Sequence, residues 1–334
     1  MKRTAHYLFH DYSDYNSRVI EELESVDGVT LVRDYLPSSA CFFERIFFKV
    51  RNRVIKKAPH FLFPWLSVFL YPRRFAREAR TNKAIVVYEC SPYSGRPDFL
   101  AYFKKRHPDV KLVLVLTNIL GSFSDSVVNG RVSLFASLFD AIITYDADDA
   151  AQNGFLHYEG IYSAVSYLSE EEKAAEPLYD LYFCGLDKGR LQYLVDVYDS
   201  CISKGLTCRF DIVNPDAIYP REGIFYYTAQ IPYEETMRRS CSSRALLELL
   251  SSPNRRGTTL RPYEAYALRK KILTNNRAIR EKKWYNEKQV KILEQIDDID
   301  PAWIKVPLLD GEATDIEVLS PKHFIDFLDS CLFE

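Results

Sequence analysis

Short apolar runs alternate with segments of helical periodicity from one end of the chain to the other. Ala5 to Phe9 reads as a strand, Ser13 to Ser25 as a helix, and Val29 to Leu36 as a second strand. Further on, AIVVYEC (Ala84 to Cys90) and VKLVLVLTN (Val110 to Asn118) predict strands around a helix over Pro97 to Arg106. A short helix near Val132 to Leu138 leads into a strand-helix unit, DAIITYDADDA, from Asp140. Unbroken runs such as IVV and LVLVL lack the polar alternation of a half-exposed sheet, so these strands are expected to be covered on both faces, as in parallel sheets.

The pattern pauses over Ser163 to Pro177, which is acidic and strand-poor, and then restarts. Leu178 to Gly185 predicts a strand, Gly189 to Lys204 a helix, and Leu206 to Val213 and Gly223 to Ala229 further strands. Pro232 with Glu234 and Glu235 marks a helix start, since acids in a first turn complement the helix dipole. Strands over Ala245 to Ser251, Lys271 to Asn276 and Val290 to Ile296 follow, and an amphipathic helix over Pro321 to Phe333 closes the chain.

Two consecutive βα arrays predict an α/β protein of two Rossmann-like, doubly wound domains facing each other across a cleft. The expected division is 1–162, a linker over 163–178, and 179–334, with the last helix, 321–333, a candidate for packing back on the first domain. Ligands in such sheets bind beyond the carboxyl ends of strands, so the loops after Phe9, Cys90, Asn118, Cys184, Val213 and Ser251 are expected to line the cleft. Neither Gly-x-Gly-x-x-Gly after the first strand nor a P-loop motif occurs, which removes the main support for dinucleotide dehydrogenases and P-loop enzymes.

Composition changes this picture in one place. The 334 residues carry a formal charge of −2, which argues against a nucleic-acid binder. The seven cysteines are scattered without a Cys-x-x-Cys, so reduced thiols, a cytoplasmic location and no metal site are expected. No apolar run is long enough for a membrane span, and Met1-Lys2-Arg3 does not open a signal peptide. Yet residues 42–83 hold eleven Lys/Arg against two acids, for a local charge of +9, together with eight Phe. Cations beside aromatic clusters suit an anionic lipid surface, which makes Arg73, Arg74 and Arg77 the expected membrane or acceptor face. A solvated basic face over an ordinary core is the alternative.

The densest chemistry lies in NRRGTTLRPYEAYALRKKILTNN, Asn254 to Asn276, between a strand and a helix. Gly257 permits close approach of backbone to a ligand, Thr258 and Thr259 supply hydroxyls at a helix N-terminus, and Arg261 offers a planar fork to phosphate oxygens. Pro262 fixes the helix start, and Glu264 suits the vicinal diol of a ribose. Plain capping by Thr258 or Thr259 is the competing reading. The run GTTLRPYEA followed by KKILTNN resembles the donor-domain signature of bacterial GT-B glycosyltransferases that build capsule, exopolysaccharide or lipopolysaccharide. DLYFCGLDKGR (Asp180 to Arg190) and DAIITYDADDA are similar to other parts of that family.

The resemblance implies transfer of a sugar from a nucleoside diphosphate sugar, without a cofactor or metal, to a glycan or lipid-linked glycan acceptor. By position, Gly257, Thr258, Thr259 and Arg261 would hold the diphosphate and Glu264 the ribose, with Gly185, Lys188 and Arg190 neutralising the leaving group. The family's Glu-x7-Glu pattern is broken, because Arg256 stands eight residues before Glu264. An inverting transfer also needs a general base, and the candidates are Asp11, His10 and Asp14 after the first strand or Glu89 after the third. A nucleotide-sugar epimerase of the same architecture and a non-catalytic nucleotide-sugar or glycan-binding protein remain open alternatives.

Overall fold

The computed structural model describes residues 5–11, 13–33, 41–57, 59–62, 82–89, 97–120, 136–164, 168–214, 220–250, 258–309 and 311–334. The chain divides into two compact units, one of residues 1–163 with 319–334 and one of residues 164–318.

The first unit is built on a six-stranded parallel sheet: β1 (His6–Asp11), β2 (Val29–Arg33), β3 (Lys83–Tyr88), β4 (Val110–Leu116), β5 (Ala141–Thr144) and β6 (Leu156–His157). Its order is β2-β1-β3-β4-β5-β6, so the direction of winding reverses between β1 and β3. Every residue of β3 is buried, as its unbroken apolar run requires. The described α-helices of this unit are α1 (Asp14–Val19), α2 (Phe42–Lys57), α3 (Pro97–Arg106), α4 (Ala147–Asn153) and the last helix of the chain.

One expected helix is cut short. Over Ser13 to Ser25, α1 ends at Val19 and a 3₁₀ segment covers Glu21–Ser25. Ile20 and Leu23, three apart, are both fully buried, a spacing that a threefold helix meets better than an α-helix.

The second unit holds β7 (Tyr179–Leu186), β8 (Cys208–Val213), β9 (Ile224–Tyr227), β10 (Ser243–Glu248), β11 (Lys271–Thr274) and β12 (Val290–Ile292), again all parallel. The order is β9-β8-β7-β10-β11-β12, with the winding reversing between β7 and β10. Its helices are α5 (Glu170–Ala174), α6 (Leu191–Ser203), α7 (Tyr233–Cys241), α8 (Leu260–Ala267) and α9 (Pro301–Lys305). The acidic stretch expected as bare linker therefore contains a helix, α5, started by a capping box between Ser169 and Glu172.

Helix α6 turns Leu191, Leu194, Val195, Tyr198 and Cys201 onto the sheet at helical spacing. Gly223, with φ of 89°, is required beneath it, since a Cβ there would lie 2.6 Å from the Tyr198 hydroxyl and 2.7 Å from the Cys208 carbonyl.

The last helix, α10 (Pro321–Phe333), belongs to the first unit. Phe324 packs edge-on against Phe9 at 6.4 Å, and the Tyr7 hydroxyl donates to Asp329 at 2.5 Å. The Ser320 hydroxyl donates to Glu22 at 2.6 Å, which ties the start of α10 to the 3₁₀ segment.

Candidate functional site

The crossover between β7 and β10 brings most of the predicted donor residues to one place. Glu248 is the last residue of β10, and Gly185 lies one residue before the end of β7. Beyond β7 the chain turns through Lys188 and Gly189, both left-handed with φ of 50° and 78°, so that Arg190 folds back over the strand end. Its Nη2 donates to the Leu186 carbonyl at 3.0 Å, and the guanidinium stacks over the Phe183 ring at 5.5 Å. A Cβ on Gly185 would sit 3.4 Å from the Phe183 ring and 3.8 Å from that Nη2, ordinary contacts, so no clash demands glycine here. Lys188 is exposed on the turn.

Arg261 comes to the same strand ends from α8. Its Nη2 donates to the Cys184 carbonyl of β7 at 2.8 Å, across 77 residues of sequence. Its Nη1 lies 2.5 Å from Glu264 Oε2, an ion pair one helical turn apart that is not aligned as a hydrogen bond. Both side chains are largely buried, at 15% and 3% exposure, so neither charge is well hydrated. Burial opposes the Arg261 charge, but Glu264, with Cys184, Tyr182 and Tyr233, outweighs it and holds the guanidinium above its ordinary value. Burial lowers Arg190 instead, against the pull of Asp187 and Glu248.

The sequence reading missed Glu248, which organises this cluster. Its carboxylate accepts hydrogen bonds from the Thr259 and Thr274 hydroxyls, the latter at 2.5 Å, and Arg261 and Arg190 are the nearby cations. Thr259 in turn caps α8, accepting from the Arg261 N–H at 3.3 Å. Capping and site-building are therefore one arrangement. A signal for Glu248 was present: it is the single charge in the apolar run ALLELL, and a lone acid on a doubly covered strand needs partners.

Among the described residues of this region, the buried donors Thr258 Oγ1 and Arg190 Nε have no hydrogen bond, and Arg261 Nη1 has its ion pair to Glu264 in place of one. Each lies at or just beyond the carboxyl ends of β7 and β10 or at the N-terminus of α8, whose partial positive charge adds to theirs. Unsatisfied buried donors are costly, and the chemistry that satisfies several at once is an oxyanion. Gly257 lies outside the described residues, as do Arg73, Arg74 and Arg77.

In the first unit the predicted acid–base candidates also converge on a crossover. His10 and Asp11 end β1, and Glu89 follows β3, the neighbouring strand. All three are buried. Asn16 donates to Asp11 Oδ1 at 3.1 Å, while Glu89 Oε1 accepts from the Thr117 hydroxyl at 2.8 Å, the Thr117 N–H at 3.2 Å and the Asn118 amide. Burial raises Glu89 above the usual carboxylate range despite those donors, and it raises Tyr88 too, with help from Asp11 and Tyr15. Asp14 starts α1 as a first-turn acid on the surface. No cluster of side chains suited to a metal ion occurs among the described residues.

No protein-family model matches the chain, and no curated protein does. Solved structures do. Anabaena HepE, in complex with UDP and glucose, is similar at a TM-score of 0.53 and 12% identity, over 98% of this chain and 100% of that one. Staphylococcus aureus MnaA in a UDP co-structure gives 0.51 at 10% identity, over 98% and 97%. A UDP-forming α,α-trehalose-phosphate synthase from Burkholderia vietnamiensis gives 0.50 at 11%, over 97% and 100%. At such identities the likeness is one of fold, and it extends over both units.

Proposed function

We propose that the protein is a glycosyltransferase that moves a sugar from a nucleoside diphosphate sugar to a glycan acceptor in surface polysaccharide synthesis. The observation that carries the reading is the group of buried donors at the β7/β10 crossover, Thr258 Oγ1 and Arg190 Nε without a hydrogen bond and the Arg261 fork held only by its ion pair to Glu264 and one carbonyl. Solved structures of this fold include proteins bound to UDP, which is consistent with a nucleoside diphosphate there.

In this reading Arg261 and Arg190 pair with the diphosphate oxygens, and the N–H groups at the start of α8 complete the cradle. Lys188, exposed on its left-handed turn, adds countercharge to the departing diphosphate. Glu264 accepts from the ribose hydroxyls once the diphosphate draws Arg261 away from it. With two guanidiniums and an ammonium supplying the positive charge, the transfer is assigned as metal-independent. The acceptor is assigned to the first unit, where Asp11, His10 and Glu89 stand ready to take its hydroxyl proton in an inverting transfer. Of these, Glu89 has the raised proton affinity that brings a carboxylate nearer to neutral pH.

Calorimetry with UDP, GDP and pyrophosphate, followed by turnover on a panel of nucleotide sugars, tests the assignment. Acceptor-dependent release of nucleoside diphosphate, unaffected by EDTA, is the expected result. Interconversion of sugars without acceptor would assign an epimerase instead, and binding without turnover a non-catalytic protein.

The same reading places the protein peripherally on the inner face of the membrane, facing a lipid-linked acceptor. Among the described residues no helix is long and apolar enough to cross a bilayer. Helix α2, however, exposes Phe42, Phe43, Ile46, Phe47 and Val50 on one side, with Phe43 at 80%. Arg45, Lys49, Arg53 and Lys57 recur every fourth residue beside that face. A basic amphipathic helix of this kind lies in the lipid interface. Phe43→Asp with Phe47→Asp is expected to abolish cosedimentation with phosphatidylglycerol vesicles and leave soluble-acceptor turnover unchanged. Equal sedimentation of variant and wild type would remove the membrane assignment.

A further inference from the structure

We infer a second anion site in residues 164–318, at the end of the sheet opposite the β7/β10 crossover, that takes a phosphate group. A cavity of about 150 Å³ there is lined by Arg244, Arg269, Lys270, Lys271 and Lys305 on its polar side and by Pro177, Ile304, Val306, Pro307 and Leu308 on its apolar side. Lys271 is the first residue of β11 and Arg244 the second of β10, so the cavity opens at the amino ends of strands whose carboxyl ends carry Glu248 and Thr274. Glu248 is four residue steps along β10 from Arg244, roughly 13 Å at about 3.3 Å per residue.

Most of the cations around the cavity are already engaged. Asp180 is the carboxylate at hand, and it is already shared by Arg244 at 3.3 Å, Lys305 at 4.0 Å and the Thr207 hydroxyl at 3.1 Å. Lys271 is committed to the Trp303 and Val306 carbonyls at 2.5 and 2.6 Å, under the more distant pull of Glu312 and Asp300. Lys305 also donates to the Gly205 carbonyl at 3.0 Å. Lys270 follows α8, whose end contributes only about half a negative charge.

Among the described residues, Lys270 Nζ has neither a hydrogen bond nor an ion pair. Burial lowers its proton affinity and the Arg244 guanidinium lowers it further, with the buried Cys241 thiol the opposing group. A half-desolvated ammonium beside a like charge is a cost to the fold unless an anion offsets it. The cavity has the size that holds about five waters at roughly 30 Å³ each, room for a phosphate group with a small apolar substituent against the proline wall.

The test titrates inorganic phosphate and phenyl phosphate into the full chain, its Lys270→Met variant and its Arg261→Ala variant. Lys270→Met is expected to weaken phenyl phosphate roughly tenfold or more while Arg261→Ala retains that binding event, which separates this site from the donor site. In phosphate-free buffer Lys270→Met is expected to melt at a higher temperature than wild type, because the uncompensated charge is gone. Wild type gains that stability on adding phosphate and the variant does not. Vesicles bearing phosphatidic acid separate the two sources of the group: capture lost in Lys270→Met assigns a lipid headgroup, and binding of the soluble ester alone assigns a small phosphate ester. Unchanged phenyl phosphate affinity in Lys270→Met, or a lower melting temperature for it without phosphate, would overturn the inference.

Discussion

Arg261→Ala is expected to weaken pyrophosphate binding by roughly 10- to 100-fold and, separately, to cost about 3 kcal/mol of folding stability. The first loss follows from removing charge-assisted hydrogen bonds to the diphosphate, each of which contributes about 1.5–3 kcal/mol in a buried setting. The second has a different origin. Glu264 is 3% exposed and pairs with Arg261 Nη1 at 2.5 Å, so deleting the arginine strands a carboxylate in the interior. The Cys184 carbonyl also loses its donor across the top of β7.

The two effects are separable. Adding Glu264→Gln to Arg261→Ala removes the stranded charge and is expected to recover most of the urea-unfolding stability while pyrophosphate stays weakly bound. Pyrophosphate is the probe because it has no ribose, so the loss of the Glu264 carboxylate does not enter. Arg261→Lys keeps a charge but not the fork, and it should fall between wild type and alanine on both scales. Wild-type affinity for pyrophosphate in Arg261→Ala would place the diphosphate elsewhere.

The fold was legible because its strands are covered on both faces. AIVVYEC and VKLVLVLTN could be read as parallel strands from their unbroken apolar character, and β3 and β4 match them to within two residues at either end. What escaped was decided by short-range geometry that apolar periodicity does not encode. Strand β6 is two residues long, and α5 is a five-residue helix whose Ser169-x-x-Glu172 box outweighed its lack of an apolar face.

The candidate site was half legible for a related reason. Arg261, Thr259 and Glu264 stood out because glycine, hydroxyl and charge at a helix entrance are unusual together. Glu248 did not, because it sits on a strand and its partners, Thr259 and Thr274, lie 11 and 26 residues away. The sequence also framed capping and ligand binding as rivals, whereas the Thr259 hydroxyl both caps α8 and anchors to Glu248.

That anchoring makes Glu248 the second position with a large expected effect, and its sign depends on pH. Burial raises the Glu248 carboxyl above its ordinary range, although Thr259, Thr274, Arg261 and Arg190 all favour the ionised form. Because the folded-state value lies above the unfolded one, the native protein binds the extra proton between the two. Stability from this group is therefore greatest at acid pH, falls as pH rises from the unfolded value through the raised one, and is level beyond it.

Glu248→Gln, neutral and of the same shape, should be free of that fall: its stability relative to wild type grows across the window and then stays constant. Affinity moves with the same proton. When Glu248 is neutral, one competing carboxylate is removed from the field of Arg190 and Arg261, so wild type should bind a nucleotide sugar more tightly as pH falls into the window. Glu248→Gln should already bind tightly at neutral pH and show a flattened profile. Glu248→Ala, by contrast, strands the buried Thr274 hydroxyl and, by freeing Thr259, loosens the N-terminus of α8, so it should be unstable at every pH and bind weakly. A Glu248→Gln protein whose nucleotide-sugar affinity keeps the wild-type pH profile would show that the carboxylate holds Thr259 and Thr274 but does not set the field at the diphosphate.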